Sequence, residues 1–282
     1  MHMHEIDFLI IGATKSATTW LQQSLQQHPS IYMPEPELHY FSREYERGKT
    51  WYLEQFTPAS GQSLIGEKSN SYMDTPVACS RILRDLPQVK LIAQLRNPVE
   101  RAYSDYCMLF RRGEVGPDIT QYLDPSRAKG GRLLNGGLYY DQLRAYMDSF
   151  PADRLLVLLY EDILTAPLEQ LDAIATFLAL DSGLGMPPLA EKVKDRTMPV
   201  ISPGLRHMLA PFKSAARPFR QTAMFRGVRA LIANEPSYAT LSSDLRKRLI
   251  DFYMPQMEKL APLVGRDLSV WLTNVNAEKP RK

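Results

Sequence analysis

The sequence predicts an α/β fold: a parallel central sheet flanked by helices on both faces, opened by a P-loop-like phosphate-binding strand–loop–helix. Three observations carry this expectation. Short β-favouring apolar runs at residues 7–12, 89–95 and 154–160 are each followed by a segment of helical periodicity, the alternation that builds parallel sheets. The runs are largely continuous in apolar character, as strands buried on both faces are. The first run ends at Gly12 and enters a hydroxyl-rich loop just ahead of a helical pattern. With 282 residues, 44% hydrophobic and 23% charged, the chain can bury a core of its own and reads as one domain over residues 1–282.

Each element follows from local sequence. Asp7-Phe-Leu-Ile-Ile-Gly12 is the first strand, and Gly12 permits a sharp exit. Thr18 and Thr19 stand where a helix begins, with Trp20, Leu21 and Leu25 as its apolar stripe. Pro29, Pro34 and Pro36 make residues 28–36 mostly non-helical. Residues 62–66 suit a short strand ending at Glu67-Lys68, and residues 75–86 a helix closed by Pro87. Residues 89–95 form the second firm strand, and Pro98 suits the first turn of a helix continued by Ala102, Tyr106 and Leu109. The Gly-, Pro- and Asp-rich segment 113–136 reads as a loop insertion. Residues 138–150 are helical, 154–160 form the third strand, and 167–180 a further helix.

From 182 to 240 the pattern shifts to Pro-rich loops and basic helical pieces, a lid or insertion. Residues 191–229 hold nine Lys/Arg against two Asp/Glu, a local excess of +7. Residues 242–260 form a closing helix capped by Ser242 or Ser243, with Leu245, Leu249, Phe252 and Leu260 inward and Pro255 kinking or interrupting it.

Composition narrows the function. Thirty-four Lys/Arg against 31 Asp/Glu give a net charge of +3, too mild for a nucleic-acid coat, so no nucleic-acid partner is expected. Two cysteines, Cys79 and Cys107, exclude a disulfide scaffold or a multi-cysteine zinc site and read as small core residues. No apolar run approaches the ~20 residues of a membrane span. Phe8 to Ile11 is too short for a signal-peptide core, so a cytoplasmic location is expected. The Met-His-Met-His start reads as a loose terminus rather than a metal site.

Strand, Gly12-Ala-Thr-Lys-Ser-Ala-Thr-Thr19 and helix together make an anion-binding arrangement. N–H groups at a helix start, the helix dipole and the Lys15 charge all favour a phosphate. The alternative is an ordinary strand-to-helix turn with a surface lysine. The loop departs from the ATPase pattern Gly-x4-Gly-Lys-Ser/Thr, because its lysine comes three residues after its only glycine. The strand at 89–95 also leads into Arg96 rather than an aspartate suited to Mg²⁺. An ATP-dependent kinase is therefore the weaker reading.

These residues resemble the two nucleotide-binding segments of sulfotransferases that use 3′-phosphoadenosine 5′-phosphosulfate (PAPS). Lys15-Ser-Ala-Thr-Thr-Trp-Leu21 is similar to the family's Lys-x-Gly-Thr-Thr-x-Leu. Leu95-Arg96-Asn97-Pro98 with Arg101 and Ser104 is similar to its second segment. Glu35-Pro-Glu37-Leu-His39-Tyr-Phe41, Trp51-Tyr-Leu and Glu67-Lys68-Ser69 with Tyr72 resemble stretches of heparan-sulfate-type members. Gly137-Leu-Tyr139, Glu161-Asp162 and Gly265-Arg-Asp-Leu268 resemble bacterial ones. The likeness covers roughly residues 6–180 and 242–272.

The resemblance implies transfer of a sulfuryl group from PAPS to a hydroxyl or amine of a carbohydrate or glycolipid, releasing 3′-phosphoadenosine 5′-phosphate (PAP) and requiring no metal. A non-carbohydrate alcohol or phenol is the alternative acceptor. It puts Lys15 on the 5′-phosphosulfate and the leaving oxygen, and the N–H groups of Ser16, Ala17, Thr18 and Thr19 on the 5′-phosphate. Arg96 and Ser104 fall to the 3′-phosphate. Glu37 matches the carboxylate base, and extended backbone puts His39 on the same side, as a second base or a packed orienting group. Lys68 contacts the sulfuryl group or acceptor, or orients Glu37. Tyr139 lines the site or belongs to the core, and Arg101 is a helix-surface or structural ion-pair residue.

Ala17 stands where the family has glycine, and the cysteine-bridged loop and late Lys-Gly-Arg segment of animal members are missing. Lys192, Lys194 or Arg196 of the basic region would then cover the nucleotide. Residues 203–229 carry an apolar set, including Leu205, Phe212 and Phe225, that reads as a lid or as a peripheral membrane contact.

Overall fold

A computed structural model describes residues 1–128, 130–186, 200–201, 233–234 and 238–272. Strands β1 (Phe8–Gly12), β2 (Ile31–Tyr32), β3 (Leu64–Lys68), β4 (Lys90–Leu95) and β5 (Leu155–Leu159) form one sheet in the order β2-β3-β1-β4-β5. Every neighbouring pair is parallel. The helices are α1 (Thr18–Gln26), α2 (Gly48–Leu53), α3 (Pro76–Asp85), α4 (Pro98–Arg112), α5 (Thr120–Leu123), α6 (Arg132–Asn135), α7 (Tyr139–Ser149), α8 (Tyr160–Thr165), α9 (Pro167–Leu178) and α10 (Ser243–Val264). Two further short strands, β6 (Val200–Ile201) and β7 (Ala233–Asn234), pair antiparallel.

The period-two alternation of a strand divides the core between the two faces of the sheet. Phe8 and Ile10 of β1 pack with Leu21 and Leu25 of α1 and with Leu171, Ile174 and Leu178 of α9. Leu9 and Ile11 enter the larger cluster, with Ile82 of α3, Tyr106 of α4, Leu143 of α7 and Leu249 of α10. Cys79 and Cys107 are free thiols buried in this second cluster. The same alternation sends Glu67 of β3 to one side and Lys68 to the other. The carboxyl ends of β3, β1 and β4 lie side by side, the place where parallel sheets hold their ligands.

Three local expectations need correction. Segment 113–136 contains the short helices α5 and α6, whose Leu123, Leu133 and Leu134 are buried. Helices of four residues are too short to show a period in sequence. Helix α10 runs uninterrupted through Pro255. Pro255 and Asp251, whose carbonyl it leaves without a helical donor, are both exposed, so water meets that carbonyl. Buried Leu249, Tyr253, Met257 and Leu260 hold the helix on either side of the proline, and Tyr253 takes the inward place expected of half-buried Phe252. Ser242 caps the helix, its hydroxyl accepting from the Leu245 N–H at 3.2 Å.

Gly66 of β3 pairs with Phe8, and a β-carbon at 66 would lie 2.3 Å from the Phe8 ring. Phe8 is fully buried and has no space to retreat. Gly66→Ala is expected to destabilise the chain by about 1–3 kcal/mol through overpacking. Urea unfolding checks this; an unchanged midpoint would show that the Phe8 pocket can relax.

Candidate active site

The loop between β1 and α1 is shaped by its backbone. Gly12 has φ +153°, and a side chain there would come within 2.9 Å of Met73 Cβ. Lys15 and Ala17 take left-handed φ of 71° and 63°. Ala17 therefore occupies the conformation that the family's glycine would adopt freely, at a cost of roughly 1 kcal/mol. Left-handed turns of this kind curl backbone N–H groups toward an anion. The Thr18 and Thr19 N–H groups, in the first turn of α1, have no intrahelical acceptor. The Ser16 N–H is committed to the Ala13 carbonyl at 3.3 Å, which sets it apart from the other N–H groups expected on the phosphate. The Ser16 hydroxyl is fully buried and lies beside the Tyr139 phenol.

Arg96, just past β4, donates from Nη1 to the Lys15 carbonyl at 3.2 Å and lies over the Tyr160 ring at 4.5 Å. It is tied to the phosphate loop and held flat. Lys15 Nζ reaches Met108 Sδ of α4 at 3.9 Å. Ser104 lies one turn before Met108, so it shares the helix face turned to the loop. Asn97 caps α4, accepting from the Val99 N–H at 3.0 Å, while its own N–H donates to Glu161 Oε1 at 3.0 Å.

The carboxylate side of the site meets the loop through Lys68. Its Nζ lies 3.4 Å from Thr19 Oγ1 and 3.3 Å from Glu37 Oε1. The Lys68 side chain is only 5% exposed while Glu37 keeps 26%, so the ion pair has a buried cation and a partly open carboxylate. Glu37 also accepts from the Asn70 N–H and side-chain amide, each at 3.1 Å. His39 Nε2 stands 3.8 Å from Glu37 Oε2. Glu37 and His39 share one side as expected, but the chain turns between them, for His39 has φ +52°. Burial pushes the His39 pKa below its ordinary value against the pull of the Glu37 charge. Glu35 points to solvent instead.

Beneath this cluster sits Glu67, which the sequence reading did not place in the site. It accepts from Tyr52 at 3.1 Å, from Ser69 at 3.0 Å and from Tyr72. Ser69 Oγ in turn accepts from the His39 N–H at 2.8 Å. Burial raises the Glu67 pKa to about 7, against the lowering pull of Tyr72, Ser69 and Tyr52. A carboxyl with a folded pKa above its unfolded value of 4.5 binds its proton more tightly in the folded chain. Its stabilising contribution is full below about pH 4.5 and is lost as pH rises through about 7. Glu67→Gln is therefore expected to flatten the fall in stability between about pH 4.5 and pH 8. Urea midpoints across that range test this, and identical profiles for the two proteins would remove Glu67 as the cause.

The structure thus brings together Lys15, Ser16, Ala17, Thr18, Thr19, Lys68, Glu37 and His39, with Arg96 bound to the loop. Tyr139 lies away from solvent in the core, edge-on to Trp271, with its hydroxyl beside Ser16 of the loop. Burial pushes that phenol up. Arg101 is a buried structural residue rather than a helix-surface one, 3.7 Å from Asp105 and donating to the Leu133 carbonyl. Lys192, Lys194, Arg196 and segment 203–229 lie outside the described residues. Asn70 was missed although it holds Glu37 twice. Its signal was the polar run Glu67-Lys-Ser-Asn-Ser71 directly after an apolar strand.

Fold and site together define a phosphate-binding α/β domain with a carboxylate, a histidine and two lysines at the mouth of its loop. Over residues 5–196 the chain matches the sulfotransferase domain family, and it belongs to that family. It is 26% identical over 275 residues to mouse heparan sulfate glucosamine 3-O-sulfotransferase 3B1, covering 92% of this chain and 63% of that protein. It is 32% identical over 196 residues to mouse bifunctional heparan sulfate N-deacetylase/N-sulfotransferase 1, covering 62% of this chain and 22% of that protein. The chain thus spans less than two thirds of the length of these curated relatives. The crystal structure of a sulfotransferase from Alicyclobacillus acidocaldarius shares the fold, with a TM-score of 0.69, 24% identity and coverage of 95% of this chain and 99% of that one.

Proposed function

We propose that this protein transfers a sulfuryl group from PAPS to a hydroxyl or amine of a carbohydrate or glycolipid acceptor, releasing PAP. One observation carries the reading: Lys68 Nζ touches both Thr19 of the phosphate loop and Glu37. A donor phosphate and an acceptor proton would therefore meet across a single ammonium group. The donor set fits a phosphate ester. It offers first-turn N–H groups of α1, the buried Ser16 hydroxyl, the Lys15 ammonium and the Arg96 guanidinium. Membership of the sulfotransferase family supports PAPS as the donor, and the heparan sulfate enzymes among its relatives support a sugar acceptor.

Sulfuryl transfer moves a neutral SO₃ unit, so charge grows on the departing phosphate oxygen while the acceptor must lose a proton. Lys15 would hold the growing charge, a preorganised electrostatic role. Glu37 would receive the proton, within reach of the acceptor oxygen or nitrogen. Lys68 and Asn70 would fix the direction of that carboxylate. Arg96 and Ser104 would take the 3′-phosphate, where a planar fork suits the charge.

Calorimetric titration with PAP, alongside ATP with Mg²⁺, tests the donor. Tight PAP binding that needs no metal is the expected result. Absence of PAP binding by the folded chain, with ATP and Mg²⁺ binding instead, would turn the assignment toward a kinase.

A further inference from the structure

The hydroxyls around His39 can be counted proton by proton. Ser42 Oγ donates to the His39 carbonyl at 3.1 Å, since a carbonyl only accepts. A serine hydroxyl has one proton, so in its 2.7 Å contact with Ser71 Oγ the Ser42 oxygen must accept. Ser71 therefore spends its single proton on Ser42. With that direction, its 2.7 Å contact with His39 Nδ1 has the imidazole donating from Nδ1–H to Ser71 Oγ. The opposite relay, from Ser42 through Ser71 to Nδ1, would withdraw the Ser42 proton from a carbonyl that also accepts from the Ser42, Arg43 and Glu44 N–H groups. The backbone joins the same scheme. The His39 N–H donates to Ser69 Oγ, whose own proton goes to Glu67.

We propose that Ser42 and Ser71 are positioning residues that fix His39 as its Nδ1–H tautomer, leaving Nε2 as an open proton acceptor beside Glu37. A neutral imidazole carries one N–H, so Nδ1–H makes Nε2 a bare lone pair. That lone pair faces the space next to Glu37 Oε2, 3.8 Å away, too far for a hydrogen bond between the two. Glu37 already accepts from Lys68 and twice from Asn70. Among the described residues His39 Nε2 accepts no hydrogen bond. A hydroxyl or amine entering this corner meets two acceptors, of which the imidazole nitrogen is the less occupied. The proton that leaves the acceptor passes to Nε2 or to Glu37 as the new oxygen–sulfur or nitrogen–sulfur bond forms, and the released phosphate oxygen keeps the electron pair. The opposite tautomer would aim an N–H into that corner and remove one of the two acceptors.

This proposal deepens the sulfotransferase reading and rests on it for its catalytic half, but its tautomer half does not. The deciding variant is Ser42→Ala, which touches no atom of the imidazole. Without the Ser42 oxygen, the Ser71 proton is released from its partner and can donate to Nδ1, so Nε2–H becomes available. Nitrogen-15 NMR of the uniformly labelled chain, at a pH where His39 is neutral, reads the two ring nitrogens directly. The expected result is a protonated Nδ1 and bare Nε2 in the unaltered protein, and an Nε2–H population in Ser42→Ala. With PAPS and an accepted sugar, Ser42→Ala should lower kcat by about ten- to a hundredfold with KM and PAP affinity unchanged. Ser42→Thr, which keeps the hydroxyl, should restore both the tautomer and kcat. Nε2–H in the unaltered protein overturns the proposal, and so does a Ser42→Ala spectrum that does not change. A switched tautomer with undiminished kcat overturns the catalytic half. The switch observed in a chain that binds no PAP would uphold the hydroxyl relay and defeat the sulfotransferase reading instead.

Discussion

Glu37→Gln is expected to lower kcat by about 10²–10⁴-fold while leaving PAP affinity intact. Glutamine keeps the length of the side chain and one carbonyl acceptor but has no site that can take a proton at neutral pH. The substitution lies at the acceptor side of the site, linked to the helix after the phosphate loop through Lys68. PAP would be held by Lys15, Arg96 and the first turn of α1, so its affinity reports whether the loop is undisturbed. The amide must present its NH₂ toward at least one donor, Lys68 or Asn70, so the side chain turns and Lys68 loses its ion pair. Lys68 is nearly buried and would lose the charge of its partner, a cost in stability that a thermal melt would register. A melt that falls by a few degrees with kcat near normal would remove Glu37 from proton transfer and leave it as the partner of Lys68. Loss of kcat with PAP affinity retained is the signature of a group acting only in the transition state.

How far the sequence alone reaches can be judged residue by residue. Lys15, Thr18, Thr19 and Arg96 were legible because they follow strands at fixed distances, and the chemistry of a phosphate loop is local. Glu37 and His39 were legible through a short motif. The residues that hold them were not. Asn70 reaches Glu37, and Ser71 reaches His39 and Ser42, across about thirty residues of chain. No periodicity joins a serine at 42 to one at 71; the parallel placement of β2 beside β3 does. Glu67 looked like half of a Glu-Lys pair on a strand. Period-two alternation sends it to the aromatic side with Tyr52 and Tyr72, while Lys68 goes to the loop. Arg101 stood within the second nucleotide-binding segment, yet the helix turns it inward to Asp105. Ala17 shows the opposite case. Strain is to be expected where glycine is usual, and the left-handed φ of Ala17 is where it falls.

Lys15→Ala should lower kcat by about 10²–10³-fold, the cost of losing one preorganised charge at a developing oxyanion. It should also weaken PAP by about tenfold, since one hydrogen bond to a charged group is removed. The two effects differ because the departing phosphate carries more charge on the reacting oxygen in the transition state than before it. The backbone at position 15 is held independently of the side chain, through the Arg96 contact to its carbonyl at 3.2 Å. Alanine at φ 71° pays the same left-handed cost that lysine does, so the loop should keep its shape. The variant then reports the ammonium group rather than a collapsed loop. Lys15→Arg should recover little of the loss. A guanidinium fork is larger and flatter than an ammonium, and Met108 of α4 already stands 3.9 Å from Nζ. Single-turnover rates separate the chemical step from PAP release. If kcat fell only because PAP left more slowly, the single-turnover rate would be unaltered and Lys15 would be a binding residue alone. If both rates fell together while Arg96→Ala weakened binding with a smaller effect on the chemical step, the loop lysine and the strand-end arginine would divide the nucleotide between reaction and anchorage.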